Sequence, residues 1–164
     1  MMDHPEMRDG YALFWGQWPS NWQMSAMELD GVQYNCVEQY MMAEKARLFG
    51  DEETRDRILM AAEPREQKAL GRKVRGFDEA AWEKARYQIV LRGTLEKYRQ
   101  NPELRSLLLA TGNAVFVECA PDDTVWGIGM RRQDPGSTDP RKWRGLNLLG
   151  RAITEARTII RDSV

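Results

Sequence analysis

Glu38, Lys45 and Glu118 are charged residues at positions where the hydropathy pattern asks for apolar ones. Residues 35–50 read as a helix, opened by Asn35 and closed by Gly50. At about 100° per residue, Val37, Met41, Met42, Leu48 and Phe49 share one apolar arc. Glu38 and Lys45 fall in the middle of that arc, while Glu44 and Arg47 lie away from its centre, where solvated charges belong. A carboxylate and an ammonium on a buried helix face are costly unless they are paired or engaged in chemistry. They stand about 10 Å apart along the axis, too far for the pairing between neighbouring turns that helices support. Glu118 lies in the otherwise apolar run 114–119, and Asp122 and Asp123 follow it directly. Strand ends and the loops after them are where sites are usually built.

Each of these residues also has a plainer reading. Glu38 can complete a capping box with Asn35, and Lys45 can run its stem along apolar surface to water. Glu118 can pair with a core arginine such as Arg157, and Asp123 can cap a turn. Taken together, Glu38 and Lys45 read as two walls of one pocket that Glu118, Asp123 and Trp126 close. The single histidine, His4, sits in a polar lead, which argues against histidine-centred triads and metal sites. Carboxylates, a lysine or an oriented water must then do the work, with no metal and no cofactor. That set suits cleavage of a glycosidic bond, in which one carboxylate stabilises an oxocarbenium-like state and another moves a proton or activates water.

The elements around these residues follow from local signals. Residues 1–9 read as a loose lead and 11–15 as a short aromatic strand. The tryptophans Trp15, Trp18 and Trp22 crowd a turn-rich stretch that serves either as a lid on the core or as a stacking platform, with Asn21 as a polar handle. Asp30-Gly31 marks a hairpin. Asp51 caps a second helix to about Met60, and Pro64 starts a third that Gly76 ends. Asp78 caps a long helix to about Gln100, with Trp82, Ala85, Ile89 and Leu95 inward, and Asn101-Pro102 opens another with Leu104, Leu107 and Leu108 inward. After the strand at 114–119 comes Trp126-Gly127-Ile128-Gly129, whose glycines allow close backbone approach or unusual dihedrals. Residues 134–140 read as a mobile loop, a possible lid, and the last helix runs to about Ile160. Arg131, Arg132, Lys142 and Arg144 form a local positive cluster, either solvated or holding a phosphate, and residues 144–147 can present backbone N–H groups to an anion. The total is an α+β fold, a single compact and mostly helical domain over 1–164 with a small antiparallel or mixed sheet.

With 164 residues the chain can bury a core without staples. A net charge of −1 points to no general nucleic-acid or membrane surface. Cys36 and Cys119 lie in apolar company, as buried thiols of a reducing compartment. Neither a signal peptide nor a membrane span is read, so a cytoplasmic location is expected.

At these residues the chain resembles the NADAR family of YbiA-like N-glycosidases, from Phe14 to Arg157. The family's Ser-Asn-Phe appears as Ser20-Asn21-Trp22 and its Glu-His-Tyr…Lys helix as Glu38-Gln39-Tyr40 with Lys45. Its acidic strand end and Asp-x-x-Trp-Gly-x-Gly appear as Glu118 and Asp123-Thr124-Val125-Trp126-Gly127-Ile128-Gly129, and its Gly-x-Asn-x-Leu-Gly as 145–150. The resemblance implies hydrolysis of an N-glycosidic bond in a small ribosyl-phosphate substrate. That substrate is a phosphoribosylamino-pyrimidine of riboflavin synthesis or an ADP-ribosyl compound, including ADP-ribosylated guanine in nucleic acid. It further implies Glu38, Lys45, Glu118 and Asp123 as catalytic residues, with Asn21, Trp22, Trp126, Gly127, Gly129 and Asn147 binding substrate. Either a carboxylate pair acts with water, or Lys45 attacks the ring-opened ribose at C1 as a Schiff-base nucleophile. Three departures stand out: Gln39 for a frequent histidine, Trp22 for phenylalanine, and Ile128 for the aspartate of riboflavin-linked members, which shifts the expectation toward ADP-ribose. The rival readings are a non-catalytic module that senses ADP-ribose or NAD, and a helical adaptor with no pocket.

Overall fold

The computed structural model describes residues 2–163. In chain order they form β1 (Glu6–Arg8), β2 (Tyr11–Phe14), β3 (Met27–Leu29), β4 (Val32–Tyr34), α1 (Val37–Leu48), α2 (Glu52–Met60), α3 (Pro64–Gly71) and α4 (Glu79–Gln100). There follow α5 (Pro102–Ala110), β5 (Val115–Glu118), a short 3₁₀ turn (Pro140–Lys142) and α6 (Leu148–Asp162). The fold is α+β and mostly helical, as expected. The described residues divide into two compact units, Met24–Asn101 and the segments on either side of it.

In the unit built from the chain's two ends, β2 lies between β1, antiparallel to it, and β5, parallel to it. This is the mixed sheet of the sequence reading, with one strand more. Residues 1–9 were expected as a loose lead, yet Glu6–Arg8 pairs along β2. The signal was present: Asp9-Gly10 adopts positive φ at both positions, the same two-residue hairpin chemistry as Asp30-Gly31. Helix α6 packs on β5, and a glycine permits the approach: a Cβ at Gly150 would fall on the Phe116 carbonyl oxygen. Leu13, Val117, Cys119, Ile128 and Met130 form a buried cluster here, with Tyr11 and Trp143 against it.

In the unit Met24–Asn101 the β3–β4 hairpin and helices α2, α3 and α4 surround α1. Two expected caps are made. The Asp51 carboxylate accepts from the Thr54 N–H and the Asp78 carboxylate from the Ala81 N–H, each satisfying an orphan donor of a helix start. Helix α3 ends at Gly71, earlier than the expected stop at Gly76. On α4 the buried positions are Trp82, Val90, Leu91, Gly93, Thr94, Lys97 and Tyr98, while Ala85, Ile89 and Leu95 are only half-buried. Gly93 marks the closest crossing, since a Cβ there would come within 2.8 Å of the Tyr40 ring on α1.

Candidate active site

Helix α1 carries two of the sequence-predicted residues. Its cap is Cys36, with no side-chain cap bond. Asn35 instead donates to the Ala62 carbonyl and accepts from Gln67. The expected Asn35–Glu38 capping box is therefore not formed, because the Asn35 side chain is spent on tertiary contacts. Gln39, which replaces the family histidine, accepts from the Asn35 N–H and donates to carbonyls at the end of α2, those of Ile58, Leu59 and Ala61. Its role is to clamp α1 to α2. Glu44, expected in solvent, is buried and held by Arg47 at 2.6 Å, whereas Leu48, expected in the core, is exposed. Packing on several sides of α1 overrides its weak amphipathic pattern.

Glu38 is buried, so the sequence reading of a carboxylate on an inward face holds. Lys45 is half-buried, its Nζ 4.7 Å from the centre of the Phe77 ring and 5.7 Å from that of Trp82. Burial lowers the Lys45 ammonium pKa below its ordinary 10.5, and the charge of Glu38 opposes that shift without cancelling it. An amine in such surroundings is easier to bring to its nucleophilic, neutral form. The aromatic partner Phe77 carried no signal in the sequence, since it sits in the short link between α3 and α4.

The remaining predicted residues lie in the other unit, most of them in one backbone network around the end of β5. The Glu118 N–H donates to Asn147 Oδ1 at 3.0 Å, and Asn147 Nδ2 donates to the Phe116 carbonyl at 2.9 Å. Asn147 has φ of 53°, a conformation asparagine tolerates better than most residues. Asp123 Oδ1 accepts from the N–H groups of Val125 and Trp126, at 2.9 and 2.8 Å. The Asp123 carbonyl accepts from the Gly129 N–H and the Glu118 carbonyl from the Ile128 N–H. Asp123 is thus the turn cap of the plainer reading, and Asn147 is a brace whose two amide ends are both engaged. The glycines have structural reasons too: a Cβ at Gly127 would lie 2.9 Å from the Glu118 carbonyl oxygen, and Gly129 has φ of 67°.

Three further expectations change. The N–H groups of Arg144, Leu146, Asn147, Leu148 and Leu149 all donate to carbonyls between Thr124 and Ile128, so the start of α6 has none of these left for an anion. Ile128 is fully buried in the cluster with Leu13 and Val117, so its side chain supports no inference about substrate. The tryptophans divide: Trp18 is 1% exposed and packs edge-on to Phe116, while Trp15 and Trp22 are 59% and 41% exposed. Asn21 is buried beside the Ser20–Trp22 turn, in which the Trp22 N–H donates to Ser20 Oγ. The Arg157 guanidinium lies over the Phe116 ring and donates to Thr111.

Lys97 went unnoticed in the sequence. It is 1% exposed, beside the Tyr98 ring at 5.2 Å, and burial lowers its pKa to about 7. The missing test was the one applied to α1: Lys97 falls on the same helical face as Val90. Cys36 and Cys119 are free, buried thiols, with pKa values pushed up by burial to about 11 and about 12.

No group of histidine, cysteine and carboxylate residues suited to a metal occurs among the described residues, and no helix there is long and apolar enough to cross a membrane. Comparison with known proteins supplies the remaining constraint. Residues 6–161, spanning parts of both units, match the NADAR domain family. The chain is 40% identical to an N-glycosidase of Acanthamoeba polyphaga mimivirus, covering 90% of this chain and 87% of that protein. It is 30% identical to the N-glycosidase YbiA of Escherichia coli strain K12, covering 84% and 78%. The solution structure of E. coli YbiA superposes with a TM-score of 0.78 at 27% identity, over 98% of this chain and 90% of that one.

Proposed function

Because the chain belongs to the NADAR family, we infer that it is an N-glycosidase, a hydrolase of N-glycosyl compounds. We further propose that the bond it breaks joins ribose C1 to a base in a ribosyl-phosphate compound. ADP-ribosylated guanine and a phosphoribosylamino-pyrimidine are the two substrate classes to test. The observation that carries the chemistry is Lys45, a half-buried amine faced by two aromatic rings, with the buried carboxylate of Glu38 on the same helix. In this reading Lys45 Nζ attacks C1 and the C1–N bond to the base breaks. Glu38 supplies the proton that leaves with the base. Ring opening then leaves an imine between C1 and Nζ, and water hydrolyses it to free lysine and the ribose still carrying its phosphate. Asp123 and Asn147 hold the Glu118–Trp126 backbone in place and do no chemistry themselves. The two buried free thiols favour a reducing, cytoplasmic setting.

The test is incubation with both substrate classes, reading free base by chromatography and trapping the imine with borohydride. Base release with a reduced adduct on Lys45 is expected. Full turnover by Lys45→Ala would eliminate the covalent route and leave the carboxylates acting with water. Tight ADP-ribose binding without release of base from any candidate would make the protein a sensor instead.

A further inference from the structure

A hollow in the unit that holds the β1–β2–β5 sheet is used by nothing described so far. Its volume is about 210 Å³, and it is lined by Trp15, Gln17, Cys119, Arg131, Arg132 and Gln133. The lining has three kinds of chemistry. Trp15 is 59% exposed, an unusual state for so large an aromatic, and offers a flat face. Arg131 and Arg132 bring two guanidinium groups, which suit the fork geometry of a phosphate. Gln17 accepts the Trp15 N–H through Oε1 at 2.6 Å, which leaves its NH₂ end as a donor, and Gln133 adds a second amide.

The arginine loop is held rigidly. The Arg132 carbonyl accepts from Arg8 Nη2 at 2.6 Å and from Ser137 Oγ at 2.8 Å, and the Arg131 N–H donates to Asp134 Oδ2. The charged side chains that line the hollow are both cationic, Arg131 and Arg132. Arg132 reaches Glu6 only at 3.8 Å, and Arg131 makes no ion pair among the described residues. Around the hollow, Glu6, Glu118 and Asp134 stand near Arg8, Arg131 and Arg132. The Cys119 thiol beneath them is kept protonated by burial and is a passive floor rather than a nucleophile.

We propose that this hollow binds one nucleotide unit, its base stacked on Trp15 and its phosphate held by Arg131 and Arg132. Size selects one unit, because the cavity is smaller than the roughly 300–1,000 Å³ of drug-sized ligand sites. The same chemistry can come from a free mononucleotide or from one nucleotide of a single strand, where an aromatic platform beside basic groups serves equally. The proposal does not depend on the glycosidase reading, because neither Trp15 nor Arg131 takes part in that reaction.

The experiment is calorimetric titration of the intact protein with AMP, adenosine, inorganic phosphate and a short oligothymidylate. AMP should bind, and adenosine or phosphate alone should bind at least about tenfold more weakly. Trp15→Ala should weaken AMP at least about tenfold, the fold-change expected for one lost stacking contact. Arg131→Ala should weaken it and flatten its salt dependence. Both side chains are exposed, so unchanged melting temperatures serve as the folding control. An oligonucleotide that binds tighter than AMP assigns the site to a strand, and the reverse order assigns it to a free nucleotide. No AMP binding at millimolar concentration, or equal binding by wild type and both variants, overturns the proposal. Lys45→Ala should bind AMP as wild type does, and a wild-type protein that releases no base from any candidate while its Trp15-dependent AMP binding is intact would strike the glycosidase reading alone.

Discussion

Helix α1 and the loop network around the end of β5 handle their polar side chains in opposite ways. In the network, Asp123 spends one carboxylate oxygen and Asn147 both ends of its amide on backbone groups, and the N–H groups of Arg144, Leu146, Asn147, Leu148 and Leu149 meet carbonyls. On α1, Glu38 is buried, and Lys45 lies beside two rings where burial disfavours its charge. Both regions carry family motifs, so resemblance alone does not separate scaffold from chemistry. The difference lies in surroundings: a polar side chain engaged by backbone groups is a brace, and an ionisable one held where burial shifts its pKa is a candidate reactant.

Substitutions can break this contrast. The largest expected effect is on Lys45. Lys45→Met should lower the rate of base release by at least about 10³-fold. It should leave the melting temperature unchanged or higher, since an apolar side chain of similar length replaces a desolvated amine. In the wild type, the ascending limb of base release against pH should have its midpoint below 10.5, because the Lys45 pKa is lowered and the neutral amine accumulates above it. A Lys45→Met protein that unfolds but keeps its specific activity would move Lys45 into the scaffold class.

Lys97 sharpens the contrast from the side of stability. Its folded pKa of about 7 lies below the ordinary 10.5. Between those values the unfolded chain binds a proton that the native chain lacks, so stability rises with pH across that window, by on the order of 1 kcal/mol per unit, and is lowest below it. Lys97→Met removes the slope. Denaturant titrations from pH about 7 to about 10 should find the variant more stable than wild type at the low end, with the gap closing toward the high end. A constant gap would mean that Lys97 is charged in the native state.

Substitutions at Asn147 probe the brace. Asn147→Gly should cost about 1–3 kcal/mol for each buried group it strands, the Glu118 N–H and the Phe116 carbonyl. Asn147→Ala should cost about 1 kcal/mol more, since φ of 53° is left-handed and alanine pays for it. Thermal melts of the pair measure the difference. Equal melting temperatures for both variants would show that the αL conformation relaxes on substitution.

Much of the scaffold was legible because local chemistry sets it. Asp51 and Asp78 cap helices, Asp30-Gly31 turns a hairpin, and α4 ends at Gln100 just before Asn101-Pro102. The inward position of Glu38 followed from helical spacing alone. Strand β1 was missed although Asp9-Gly10 announced it, because its one apolar residue, Met7, is exposed between half-buried Glu6 and Arg8 and gives no apolar alternation. Asn35 misled, since a cap residue with a nearby tertiary partner uses its side chain there.

By itself the sequence determined the α+β class, the family, and the few charged residues standing in apolar settings. These depend on spacing and local hydrogen bonding, which act over a turn or two of chain. Only the tertiary structure decided which polar residues are occupied: that Gln39 is a clamp, Asp123 a turn cap and Asn147 a brace, and that Lys45 faces Phe77 and Trp82. A side chain's cost and availability depend on every group packed around it, and those groups arrive from distant parts of the chain.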